Sequence, residues 1–234
     1  MLPFRFYLIT DRLHGRHAPR QWLARLAGAG LRAVQVREKD LAPAALFAFA
    51  LELRDTVLRE TVSSDTAILH TASRAAAGAP GRAAPESAPL QFFLNDRADL
   101  ALALGFAGVQ LREDSLPLAR QAGLLRERLR FGVSTHTLEG VLAAEAAGAA
   151  FATLGPVFET ASKAGYGPPV GLKLLERAAA LSRLPLLALG GITPERVKPC
   201  REAGAWGVSA ISAIWDAEDP LAALAAFGEA LGGL

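Results

Sequence analysis

The 234-residue chain has the length of one α/β domain and can bury a large core, and 51% hydrophobic against 21% charged residues excludes a disordered polymer. The net charge is +2, and the arginines are dispersed despite a pI near 9.0, which argues against a nucleic-acid partner; Cys200, the only cysteine, rules out an intrachain disulfide. The opening MLPFRFYLITD meets Arg5 and Asp11 too early for a signal peptide, and no run nears the roughly 20 apolar residues of a membrane span, so a cytoplasmic protein is expected.

Short runs of Val, Ile, Leu and Phe alternate with longer Ala/Leu/Arg stretches of helical period. In chain order the runs are Phe6 to Thr10, Ala33 to Val36, Phe92 to Leu94, Gly108 to Leu111, Phe131 to Ser134, Ala150 to Leu154, Leu186 to Leu189 and Gly207 to Ala210. Between them, helices are expected over Arg20 to Ala29, Pro43 to Arg59, Asp99 to Leu104, Leu138 to Ala147, Gly171 to Leu181 and Pro194 to Ala203. Four of the units pass through an Ala-Gly or Gly-Ala pair before the next strand (AGAGLRAV, LGFAGVQL, AAGAAFAT, EAGAWGVS), as C-capped helices returning to a sheet do. This repetition points to a single α/β domain over residues 1–234, a (β/α)8 TIM barrel, although periodicity by itself also admits an open sheet. The stretch from Thr61 to Pro89 breaks the rhythm. Its later part, rich in Ala, Gly, Pro and Ser, reads as a flexible surface insertion between the second helix and the third strand, and Thr66 to His70 as an extra strand.

In such a barrel, chemistry sits in the loops that follow the strands. After the second strand, Gln35, Arg37 and Lys39 alternate and would face one side, an arrangement suited to a diphosphate; a solvated strand end with Glu38 as partner would look the same. After the third come Asn95 and Asp96. Asp96 has the chemistry for Mg²⁺, or equally for an N-cap. Thr160, Ser162 and Lys163, with Gly165 and Gly167 behind them, suggest a closing anion clamp, and a Thr/Ser-rich loop without function would read alike. Gly190 and Gly191, then Ser209 to Ile214, occupy the last two loops, where barrels bind phosphate through backbone N–H groups. His136 in STHT is either a base or part of a helix cap. Cys200 falls in a helix far from the strand ends and reads as a buried apolar residue.

In order, YLITD, VQVREKDL, LNDRADLALALGFAGVQL, FGVSTHT, LGPVFETASK, LALGGITPERV and GAWGVSAISAI resemble the thiamine phosphate synthase superfamily, which includes the TenI-type thiazole tautomerases. The resemblance covers almost the whole chain outside the 61–89 insertion. For the synthase branch it implies the joining of an aminopyrimidine methyl diphosphate to a thiazole phosphate with release of pyrophosphate, and Mg²⁺ as cofactor. Carried over, it assigns the pyrimidine diphosphate to Gln35, Arg37, Lys39 and Asn95, the metal to Asp96, and pyrophosphate contacts to Ser134 and Lys163. It assigns the thiazole phosphate to Thr160, Ser162, Gly191 and the backbone near Ile211 and Ser212, with Gly190 beside them.

The resemblance has two departures. Synthases usually read like HLGQEDLP after the fourth strand; here QLREDSLP puts Ser115 in place of the last Asp, a second metal ligand, with Asp114 one residue early. Gln110, the Ser115-Leu116 pair and Glu159 look more like the tautomerase branch, whose characteristic His is replaced by Asp114, which leaves Asp114 or His136 as candidate bases. Three readings follow: a synthase, a thiazole tautomerase, or a non-catalytic barrel that binds a thiamine precursor. The partners implied are phosphorylated small molecules, with the oligomeric state, homo-oligomer included, left open.

Overall fold

The computed structural model describes residues 2–75, 89–113, 115–160 and 168–234, and of 62–75 only the helical backbone. Eight strands, β1 (Phe6–Ile9), β2 (Ala33–Val36), β3 (Gln91–Asn95), β4 (Gly108–Leu111), β5 (Arg130–Thr135), β6 (Phe151–Leu154), β7 (Leu186–Leu189) and β8 (Gly207–Ala210), close into a barrel in sequence order. Every neighbouring pair is parallel, and Tyr7 opposite Ser209 closes the ring between β1 and β8. The helices are α1 (Pro19–Gly28), α2 (Pro43–Ala75), α3 (Ala98–Ala103), α4 (Leu118–Leu125), α5 (Leu138–Ala146), α6 (Gly171–Leu181), α7 (Pro194–Glu202), α8 (Ser212–Trp215) and α9 (Pro220–Leu231).

The order of elements is that of a (β/α)8 barrel, and no helix among the described residues is long and apolar enough to cross a membrane. The reading of Thr66 to His70 as an extra strand is corrected: these residues lie within α2. No Gly or Pro stands between Arg59 and Thr66 to stop the helix, so it runs through a segment whose Thr and Ile mimic a strand. The insertion therefore begins as helix, and the rest of it, 76–88, lies outside the described residues.

Strand alternation sends successive side chains to opposite faces. Val34, Val36, Phe92 and Leu94 pack outward under the helices, in a core that also holds Leu23, Leu26, Phe227 and Trp215. Tyr7, Ala33, Phe93, Phe151 and Leu187 point into the barrel, where Leu2 and Phe4 plug the end from which the strands start. The rings of Phe4, Tyr7, Phe93 and Phe151 lie with centroids 5.4–5.8 Å apart, mostly edge to face. Two glycines make room for them. A Cβ at Gly108 would meet the Phe93 ring at 2.6 Å, and one at Gly132 would meet Phe151 at 2.4 Å and the Gln110 amide oxygen at 2.3 Å.

Outside the barrel, α9 is capped by Asp219, whose carboxylate accepts from the N–H of Leu221 at 2.8 Å, and stopped by Gly232 in the left-handed region. The Trp215 indole in α8 donates to the Ile9 carbonyl at 2.7 Å, anchoring the chain after β8 to the end of β1. Cys200 is fully buried in α7, and burial pushes its thiol up to about 11, an inert position.

Candidate active site

Two residues further along the inward-facing rows, aromatic rings give way to polar groups. The row holds Gln35 after Ala33, Asn95 after Phe93, Gln110 after Gly108, Ser134 after Gly132 and Thr153 after Phe151. The Gln35 amide donates to the Asn95 side-chain oxygen at 3.0 Å, and the Gln110 amide donates to the hydroxyls of Ser134 at 3.1 Å and Thr153 at 3.4 Å. These contacts fix which atom each amide presents to the lumen.

Above this layer opens a cavity of about 460 Å³ at the carboxyl ends of the strands, walled by Gln35, Arg37, Lys39, Asn95, Ser134 and His136, together with Arg112, Glu113 and Thr153. Three guanidinium or ammonium groups thus face it against one carboxylate, which favours an anionic guest. Gln35, Arg37 and Lys39 share the wall because their alternate positions continue the inward row of β2.

The loop that carries Arg37 and Lys39 is pinned by a buried carboxylate. Glu38 accepts from the Thr10 hydroxyl at 2.6 Å and from the Arg12 N–H at 3.2 Å, while the Arg37 N–H donates to Thr10 at 3.0 Å. Burial raises the Glu38 pKa against the lowering effect of these bonds. The solvated-end alternative for this loop is therefore corrected: Glu38 turns inward and holds the loop after β1 to the loop after β2.

Asp96 follows Asn95 with φ of 62°, which turns its carboxylate toward the loop after β4; it is not an N-cap, since Arg97 precedes α3. One carboxylate oxygen accepts from the Ser115 hydroxyl, and the other lies 3.5 Å from the Arg112 guanidinium. The Ser115 oxygen in turn accepts from the Arg112 N–H at 2.9 Å. Among the described residues no group of three or more His, Cys, Asp or Glu is disposed to hold a metal ion.

His136 lines the cavity with Nδ1 against the Gly155 carbonyl, and its backbone N–H donates to the Glu113 carboxylate at 3.1 Å. A carbonyl only accepts, so Nδ1 carries the proton and Nε2 is the basic nitrogen of the neutral ring. The residue does not cap α5; Thr137 does, accepting from the Gly140 N–H.

A second, smaller pocket of about 30 Å³ lies alongside, walled by Thr160, Gly190, Gly191, Ser209, Ile211 and Ser212. Gly190 and Gly191 have φ of 96° and 61°, and a Cβ on either would strike the loop after β6, at Pro156 or at the Glu159 carbonyl. The Ser209 hydroxyl is fully buried here and has no partner among the described residues. Leu189 and Ile211 belong to both pockets and form the wall between them.

Of the residues singled out in the sequence, Asp114, Ser162, Lys163, Gly165 and Gly167 lie outside the described residues. Arg112, Glu113 and Thr153 join the walls without having been singled out for a role, and Ser209, read as part of a phosphate loop, lines the smaller pocket. Their signal was positional: each stands on, or just after, a strand that already contributed a candidate.

The fold and this rim define a (β/α)8-barrel protein with a cation-lined cavity and a smaller glycine- and hydroxyl-lined pocket beside it. A family model described as thiamine monophosphate synthase matches residues 56–214, and the chain belongs to that family. It is 39% identical over 198 residues to a thiamine-phosphate synthase of Anaeromyxobacter dehalogenans, covering 85% of this chain and 76% of that one. It is 35% identical over 221 residues to the thiamine-phosphate synthase of Roseiflexus castenholzii, covering 93% and 83%. Among solved structures, thiamine phosphate pyrophosphorylase from Pyrococcus furiosus superposes with a TM-score of 0.74 at 25% identity, over 97% of this chain and 95% of that one. Membership places the chain in thiamine biosynthesis.

Proposed function

We propose that this chain is a thiamine-phosphate synthase, joining hydroxymethylpyrimidine diphosphate to thiazole phosphate with release of pyrophosphate. The observation that carries the proposal is the pairing of pockets: a larger cationic one and a small one built on Gly190 and Gly191, separated only by Leu189 and Ile211. Condensing two phosphorylated molecules requires two anion sites with the reacting ends toward a common space. A tautomerase needs one.

In this reading the Gln35–Asn95 pair meets the aminopyrimidine. With the Gln35 amide nitrogen committed to Asn95, the pair offers the Gln35 oxygen as acceptor and the Asn95 nitrogen as donor, matching an exocyclic amine beside a ring nitrogen. Arg37 and Lys39, with Lys163 from the loop after β6, bind the diphosphate and stabilise the charge that collects on it as the C–O bond breaks. Ser134 accepts from Gln110, so its own proton is directed to the departing group. The pyrimidine-stabilised cation is captured by the thiazole nitrogen, whose phosphate lies against Thr160, Ser162, Gly191, Ile211 and Ser212. There the buried Ser209 hydroxyl gains the acceptor it lacks.

Mg²⁺ fits as a sparsely held ion. Asp96, the Ser115 hydroxyl and the preceding residue Asp114 offer oxygen donors, and Mg²⁺ commonly takes one or two carboxylates and completes its shell with water and substrate phosphate. When bound it supplies further neutralisation of the leaving pyrophosphate.

The test is a reaction of purified protein with both substrates and Mg²⁺, following thiamine phosphate and pyrophosphate. Stoichiometric formation of the two is expected; absence of both under saturating substrate rejects the synthase. One observation favours a second reading, the tautomerase: His136 presents a basic nitrogen on the cavity wall where a proton could be moved. Supplying the unrearranged thiazole tautomer separates that activity from a non-catalytic binder.

A further inference from the structure

Arg112 occupies an ambiguous place. It lines the cationic cavity, yet its guanidinium lies 3.5 Å from Asp96, which is itself absent from the cavity wall. Ser115 ties the two together, accepting from the Arg112 N–H and donating to Asp96, so that both carboxylate oxygens face an internal partner. This is the carboxylate assigned to the metal under the proposed function, and on that reading the present inference rests. A divalent cation that takes Asp96 would compete with Arg112 for one of its oxygens.

We infer that Arg112 is a resident cation that holds Asp96 until a divalent ion displaces it, and that the displaced guanidinium then grips the diphosphate. The geometry allows the exchange. The side chains of Arg112 and Asp96 are 44% and 30% exposed, so their attraction is weakened by solvent and an ion of charge two can break it. From the cavity wall, the long arginine side chain needs only rotamer changes to reach an anion in the pocket, where its planar fork suits phosphate oxygens. Metal binding and diphosphate binding are thereby coupled through one side chain. Ser115 serves both states, since its hydroxyl can donate to Asp96 or offer a lone pair to the ion. The loop thus carries a built-in positive charge beside a neutral donor.

The experiment uses Mn²⁺ as the probe, with the full-length wild type, Arg112→Gln and Asp96→Asn, and reads bound ion by the loss of the free-Mn²⁺ electron paramagnetic resonance signal, with no substrate present. Arg112→Gln is expected to bind Mn²⁺ about fivefold more tightly, as release of a half-exposed ion pair permits, and Asp96→Asn to lose the site. Calorimetry with inorganic pyrophosphate in protein saturated with Mn²⁺ should show a loss of affinity of similar size for Arg112→Gln. If Asp96→Asn abolishes Mn²⁺ binding but Arg112→Gln leaves it unchanged or weaker, the inference falls and the metal site stands. Unchanged pyrophosphate affinity in Arg112→Gln rejects the transfer to the anion. If Asp96→Asn binds Mn²⁺ like wild type, the metal reading of Asp96 fails and the inference goes with it.

Discussion

The two halves of the barrel interior are built from the same strands, two residues apart, and follow opposite rules. At the lower level Phe93 and Phe151 interlock with Phe4 and Tyr7, with glycines at 108 and 132 cut to fit. At the upper level Asn95 and Thr153 stand on those same strands and bond to side chains of other strands. A step of one pleat therefore changes the task from filling volume to presenting donors and acceptors. Substitutions below should cost stability and leave the chemistry of surviving molecules intact, whereas substitutions above should do the reverse.

Phe151→Ala gives the largest expected effect. Removing a fully buried ring that touches three other aromatics should cost about 3–5 kcal/mol and lower Tm by roughly 10 °C in thermal denaturation, with KM near the wild-type value below the transition. A change in KM alone would show that the plug and the rim are not separate. Lys39→Ala is the converse: kcat/KM for the condensation should drop about 100-fold, a little under 3 kcal/mol, and Tm should move by no more than about 2 °C. Loss of both together would make Lys39 structural.

Tyr7→Phe probes the boundary and should have the smallest effect. The Tyr7 hydroxyl is fully buried without a partner among the described residues, and burial holds its pKa well above the usual value. Deleting it should therefore raise stability by about 1 kcal/mol, read as a higher denaturant midpoint with an unchanged slope. A fall of that size would mean the hydroxyl has a partner, a buried water included.

Much of the frame could be read from residue order. The strands at Ala33–Val36, Gly108–Leu111, Leu186–Leu189 and Gly207–Ala210 begin and end where the apolar runs do; Arg37 and Arg112 stop the first two, and the Gly190-Gly191 pair stops the third. The eight-strand closure is likewise the arrangement that repeated helix, glycine and strand units suggest. What escaped was non-local. Glu38 reads as a surface charge until Thr10, 28 residues earlier, is folded against it. The grip of Arg112 and Ser115 on Asp96 depends on a backbone turn of positive φ at a residue that is not glycine, for which the bare sequence has no marker. Thr66 to His70 misled for the opposite reason, since residues of strand-like composition were carried along by a helix already under way.

The partition made by Leu189 and Ile211 has a consequence for selectivity. On the proposed function, a divider of two apolar residues would keep charge from the midline, so each anion would be sorted by the chamber that neutralises it while the uncharged parts of both guests met over the top. Trimming that divider would fuse the chambers into one elongated trough, and a barrel proposed to take two short molecules would then be expected to accept a single long one.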